Sequence, residues 1–188
     1  MFILKVFLNL LFQTMVMYIA AKKSTQLIGP PINHRDIALY LIKTMLLILI
    51  AFVPMPIVPK FILLTLFSAL VGSAIRSRPG LEDALKETTY IFALMVLMGV
   101  VSLQLGIDLR PMGIFLFISL LVLLVIRLLD FRRKDFVKIL SVVVAMFVVY
   151  DTNNILQRNY EGDFIDATLD YFQDFSSILN IQSGMIDE

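Results

Sequence analysis

The chain has 188 residues, 59% of them hydrophobic and only 16% charged, with a mean hydropathy of +0.88; ordinary soluble domains run near 45–50% apolar and about 25% charged. A single soluble core cannot hide that much apolar surface, so lipid is the solvent for most of the chain, which reads as one transmembrane domain over residues 1–188 with the bilayer as its first partner. A formal net charge of +1 excludes a strong electrostatic case for nucleic acid, and the absence of cysteine removes disulfides, thiolate metal sites and a cysteine nucleophile.

Met1–Ala21 is the first apolar run, broken only by Lys5, Asn9 and Gln13. Lys22 and Lys23 follow the run rather than precede it, and no A-x-A site occurs, so a retained helix is expected in place of a signal peptide. Gly29-Pro30-Pro31 stops it. Ile37–Val53 is the second span, with Lys43 inside it. Pro54, Pro56 and Pro59, which have no amide hydrogen to donate, are expected to end that helix before a third span at Phe61–Ile75. Both spans are short against the roughly 20 residues a bilayer requires.

Arg76–Thr89 reads as the most polar loop, with a Pro79-Gly80 turn, and Tyr90–Leu105 as the fourth span. Gly106-Ile107-Asp108-Leu109-Arg110-Pro111 makes a tight connection to the fifth span, Met112–Leu129. A basic cluster (Arg127, Arg132, Arg133, Lys134, Lys138) surrounds the next turn, and Phe136–Tyr150 is the sixth span. Asp151 closes it, and a polar loop from Thr152 to Gly162 leads to a semi-polar segment, Asp163–Ile181. The expected fold is an all-α polytopic membrane protein, a seven-helix bundle of six spans and a semi-polar C-terminal helix. The turns after the odd-numbered spans, with their flanks, hold eleven of the sixteen Lys and Arg residues. Taken alone, that bias places the odd loops in the cytoplasm.

Little supports catalysis, and the expectation is a protein that is not an enzyme and carries no cofactor. His34 is the only histidine, and no G-x-x-x-x-G-K-[ST], H-E-x-x-H or G-x-S-x-G motif occurs. Intramembrane aspartyl proteases pair a Y-D with a G-x-G-D motif; here Asp174 follows Tyr171-Phe172-Gln173. The informative residues are acidic. Asp163, Asp166, Asp170 and Asp174 recur at spacings of three, four and four, which on a helix confines them to an arc of about 80°. Phe164, Ile165, Thr168, Tyr171, Phe172, Phe175 and Leu179 form the opposite face.

Two readings of that stripe are open. The helix could lie on the membrane with its acids in water, although such helices usually carry Lys and Arg, and none follows Arg158. Alternatively the stripe points inward and Asp174 meets Asp151, since acids within membranes usually face an interior or a water-filled cavity. Two carboxylates within hydrogen-bond reach share a proton and titrate as a pair. Such a pair could gate a cation path, closed when protonated and open or Ca²⁺-occupied when not, with Asp151 and Asp174 as the expected Ca²⁺ ligands. Asp170, Asp166 and Asp163 would then be an acidic approach for cations. Lys43 either snorkels to an interface or serves as counter-ion to Asp151 or another of the acids. Asn9 and Gln13, one turn apart, read as interhelical hydrogen-bond glue.

At these residues the chain resembles the Bax-inhibitor family, the transmembrane Bax inhibitor motif group. Val149-Tyr150-Asp151-Thr152-Asn153 resembles the family's Y-D-T-Q. Phe164-Ile165-Asp166-Ala167-Thr168-Leu169-Asp170-Tyr171-Phe172-Gln173-Asp174-Phe175 resembles its last helix, A-L-x-L-Y-L-D-x-x-N-L-F. Leu4-Lys5-Val6-Phe7 with Gln13 echoes the first helix, and Pro59 to Gly72 the third. The resemblance implies six helices around a central seventh, a proton-sharing pair at Asp151 and Asp174, and a pH-sensitive Ca²⁺ leak associated with suppression of cell death. The departures are Asn153 for Gln, Ser176 and Ser177 after Asp174, a missing polar N-terminal tail, and no arginine in the second span, where Lys43 is the nearest substitute. Family topology puts the N-terminus in the cytoplasm, opposite to the Lys and Arg bias.

The expected function is therefore a pH-sensitive Ca²⁺ or cation leak in a multi-pass membrane protein of an endomembrane, plasma membrane or viral inner membrane. The alternative is a structural or interaction protein, a member of a larger membrane assembly that keeps the fold without transport. Protein partners would come from such an assembly or from a cell-death pathway.

Overall fold

The computed structural model describes residues 2–24, 34–75, 80–128, 133–158 and 163–186. Seven helices account for nearly all of them, with no strand among the described residues: α1 (Phe2–Lys23), α2 (His34–Phe52), α3 (Ile57–Ile75), α4 (Leu81–Gln104), α5 (Met112–Leu128), α6 (Arg133–Arg158) and α7 (Phe164–Ile186). Four are long and apolar enough to cross a membrane: α1, α3, α4 and the Lys138–Gln157 stretch of α6. Shorter apolar stretches occur at Leu41–Phe52 and Met112–Leu123. The protein is an all-α membrane protein.

The distribution of side chains supports this independently of hydropathy. On α1, Leu4, Leu8, Leu11, Phe12, Met15 and Ile19 are exposed while Asn9 and Gln13 are buried. A helix in water would reverse that arrangement. Large apolar groups outward and amides inward is the pattern lipid requires, because only the interior can satisfy a polar side chain.

Three helix boundaries differ from expectation. Pro59 does not end a helix but sits in the first turn of α3, where its missing amide hydrogen breaks no helical bond. Helix α4 starts at Leu81, nine residues before the expected Tyr90. Its first turn carries Glu82 and Asp83, which complement the helix dipole, and Leu81, Ala84 and Thr88 supply a buried face at helical spacing. Helix α6 runs on to Arg158, so Asp151 lies inside it rather than closing it. The extension holds because Thr152, Asn153, Asn154 and Ile155 are buried, and Thr152 Oγ1 donates back to the Val148 carbonyl at 2.7 Å. The Gly29-Pro30-Pro31 stop, Pro79 and Arg132 lie outside the described residues.

The chain gathers into two compact units, residues 1–81 with 160–172 and residues 82–159 with 173–188. In the first, α1 and α2 both pack on α3. Gly72 sets the α1–α3 approach: a Cβ there would overlap the Met17 carbonyl. The first half of α7 joins them through Phe7 stacked on Tyr171 at 5.7 Å and Phe67 edge-on to Phe172 at 6.1 Å. In the second unit α5 packs on α6, and Phe92 of α4 meets Phe175 of α7 edge-on at 5.5 Å.

Candidate functional site

Helix α7 carries the acidic stripe and buries its apolar side. Ile165, Ala167, Thr168, Leu169, Tyr171 and Phe172 are all buried, and they span an arc of about 200° of the helix. The acidic face is the more open side: the Asp163 and Asp166 side chains are 30% and 32% exposed. The stripe is not uniformly buried. Asp163, Asp166 and Asp170 are half-buried, whereas Asp174 retains 9% of its exposure. Asp151 is half-buried in the interior of α6. Asp151 and Asp174 thus both belong to the second unit, and Asp170, Asp166 and Asp163 to the first. Lys43 is half-buried on α2, in the first unit.

At the start of α7 the structure brings together three charges. Lys60, in the first turn of α3, places Nζ 2.7 Å from Asp163 Oδ2, 2.7 Å from Asp166 Oδ2 and 2.6 Å from Asp166 Oδ1. Asp163 also caps α7, its Oδ1 accepting from the Ile165 amide at 2.9 Å. Burial works against charge on Asp163, but the Lys60 ammonium and the backbone amides of Ile165 and Asp166 outweigh it and hold the carboxyl below the ordinary carboxylate range. Two of the three residues read as an open acidic approach are therefore already ion-paired. Nothing in the sequence reading singles out Lys60 as a partner of these acids. Its signal is its position: a lysine in the first turn of an apolar helix is opposed by the helix dipole and needs a carboxylate partner.

A second polar centre surrounds Asn153, two residues beyond Asp151 and fully buried. Its Nδ2 donates to Ser102 Oγ and to the Ile107 carbonyl, both at 3.0 Å. Its Oδ1 accepts from Gln157 Nε2 at 2.6 Å and from the Leu109 amide at 3.3 Å. This one side chain ties α6 to the α4–α5 connection. That connection is itself ordered: Gly106 (φ 72°) ends α4, the Gly106 amide donating to Leu103 and the Ile107 amide to Ser102. Asn153→Leu is expected to lower stability by about 2–3 kcal/mol, because it strands the Ile107 carbonyl and the Leu109 amide. A thermal midpoint in detergent unchanged from the wild type would refute this.

In the same connection Arg110 grips Asp108 through both carboxylate oxygens, at 2.6 and 2.9 Å. The Arg110 side chain, then its backbone amide, hold the Asp108 carboxyl well below the usual range. A carboxyl depressed in the folded state contributes its stability above the ordinary value near 3.9, and loses it only as pH falls through the lower folded value. Asp108 therefore stays ionised from acidic to mildly alkaline pH and supplies no response there.

Of the expected glue on α1, Gln13 reaches a neighbouring helix, whereas the Asn9 bond is to Gln13 within α1 itself. Gln13 Nε2 donates to Asn9 Oδ1 at 3.1 Å and to Thr65 Oγ1 at 3.3 Å, and Gln13 Oε1 accepts from Ser68 Oγ at 2.9 Å. Among the described residues no three His, Cys, Asp or Glu side chains are grouped to hold a metal ion.

No protein-family model matches the chain. Two proteins from two strains of Helicobacter pylori, each described as an uncharacterized protein, are 31% identical to it over 102 residues, covering 51% of this chain and 43% of the relative. The chain thus spans under half the length of the curated relatives it matches. They bring no activity to the site, whose interpretation rests on its chemistry: carboxylates graded from part-exposed to buried along one helix, in a protein whose outer faces are apolar.

Proposed function

We propose that this protein is a pH-sensitive cation leak of the Bax-inhibitor type, with Ca²⁺ as its ion and Asp151 and Asp174 as its gating pair. The observation that carries the reading is Asp174, a carboxyl buried on α7 in a protein whose other stripe acids are part-exposed. Removing such a group from water is costly, and in membrane proteins that cost accompanies ion pathways and proton relays. Asp151 adds a second carboxyl in the interior of α6.

The reading is non-enzymatic. It uses two carboxylates rather than a closed ligand cage, so Ca²⁺ is the permeant ion and not a resident cofactor. Protonation of the pair closes the path, and deprotonation makes the two carboxylates repel and attract a cation. Since Asp108 does not titrate in that interval, it does not contribute to the response. The test is Ca²⁺ entry into dye-loaded proteoliposomes from acidic to mildly alkaline pH. Uptake that rises with pH supports the leak. No uptake by correctly folded protein would remove it and favour a structural role within a membrane assembly.

A further inference from the structure

Lys60 is poorly placed for α3, whose first-turn amides repel a cation. Its side chain is 7% exposed, yet the two carboxylates that grip it, Asp163 and Asp166, are 30% and 32% exposed. The anions are therefore more exposed than the cation they hold. Two carboxylates thus face one ammonium on that more open side. The ammonium is held by oxygens of both carboxylates at 2.6–2.7 Å, slightly longer than the roughly 2.3–2.6 Å at which such oxygens hold Ca²⁺.

We propose that Lys60 is a tethered cation. Its ammonium occupies the place that a hard divalent cation would take between Asp163 and Asp166, so ions arriving at the start of α7 find the pair already filled. Lys60 is thereby a specificity-determining residue: it withholds from divalent ions two carboxylates that would otherwise hold them at the surface. A clasp that merely joined α3 to α7 would lose stability when Lys60 is removed, but it would not acquire an ion. For its physiological sense the proposal rests on the cation-leak reading, and a binding measurement separates the two.

The probe is Mn²⁺, counted by electron paramagnetic resonance on purified protein in detergent. Lys60→Gln is expected to gain one bound Mn²⁺ per chain, with a dissociation constant at least about tenfold below that of the wild type, and Ca²⁺ should displace it. Lys60→Arg should behave as the wild type. The gain should vanish when Asp163→Asn and Asp166→Asn are added to Lys60→Gln; asparagine at 163 keeps the helix cap. A folded Lys60→Gln protein that binds no more Mn²⁺ than the wild type overturns the proposal, as does a gain that survives in the triple variant. Should Lys60→Gln fail to fold in the absence of metal, millimolar Ca²⁺ is expected to restore helical circular dichroism by mass action, and failure to do so also overturns it. Absence of flux in the wild type would remove the leak reading while leaving the Mn²⁺ result to decide this one.

Discussion

Reconstituted with a Ca²⁺ dye inside the vesicle, Asp174→Asn protein is expected to lose the rise in uptake between acidic and mildly alkaline pH that the wild type shows. The substitution keeps the side chain's shape and hydrogen-bonding capacity but removes its titration, so the helical circular dichroism should be unchanged. A carboxyl as enclosed as Asp174 has little water to stabilise its charge, and its protonation state depends on what it faces. Replacing it with a permanently neutral amide should flatten the pH profile, reducing the ratio of uptake at the two ends by at least about tenfold. Asp151→Asn should do the same. The double variant should be no worse than either single one, since residues that act as a unit are not additive. An unchanged pH response in both single variants would sink the gating pair, whatever the magnitude of the flux.

Gly72→Leu is expected to be the most damaging single change to the first unit. The obstruction at Gly72 is backbone: the nearest atoms to an added Cβ are the carbonyl and Cα of Met17, the latter at 2.9 Å. No rotamer change can relieve that, so α1 and α3 must separate along the contact that also holds Gln13 to Thr65 and Ser68. Overpacking usually costs about 1–3 kcal/mol, and a clash with main chain belongs at or above the top of that range. In lipid, close helix approach at small residues is a principal source of association. The measurement is the thermal midpoint of purified protein in detergent, with Gly72→Ala as a graded control. A Gly72→Leu protein that melts with the wild type would show that the close approach does not hold α1 to α3.

The Asn153 and Lys60 experiments address different terms. Asn153→Leu reports on a saturated polar group that locks a turn. Lys60→Gln reports on a charge whose removal exposes two anions. Neither outcome depends on the pH response of Asp174.

Much of this protein was legible in one dimension. Local properties sufficed for the all-α class, for lipid as the main solvent and for the acidic stripe, because hydropathy and a 3.6-residue period act within a few neighbouring residues. Gln13 could be read as glue, since its amide finds Thr65 and Ser68 on a neighbouring helix, whereas Asn9 is held within α1. Tertiary structure decided what neighbours alone could not. Helix α6 continues beyond Asp151 because Asn153 finds Ser102 and the Ile107 carbonyl, some fifty residues earlier, and α4 begins at Leu81 because that face is buried. Nothing near Lys60 in the chain shows that Asp163 and Asp166, more than a hundred residues away, are its partners. Propensity and hydropathy are local sums, whereas the charge state and accessibility of a carboxylate depend on which groups the fold brings beside it. That acids lie in an apolar protein is a property of the residues alone; that Lys60 pairs with two of them and that Asp174 is buried follows from the groups the fold brings together.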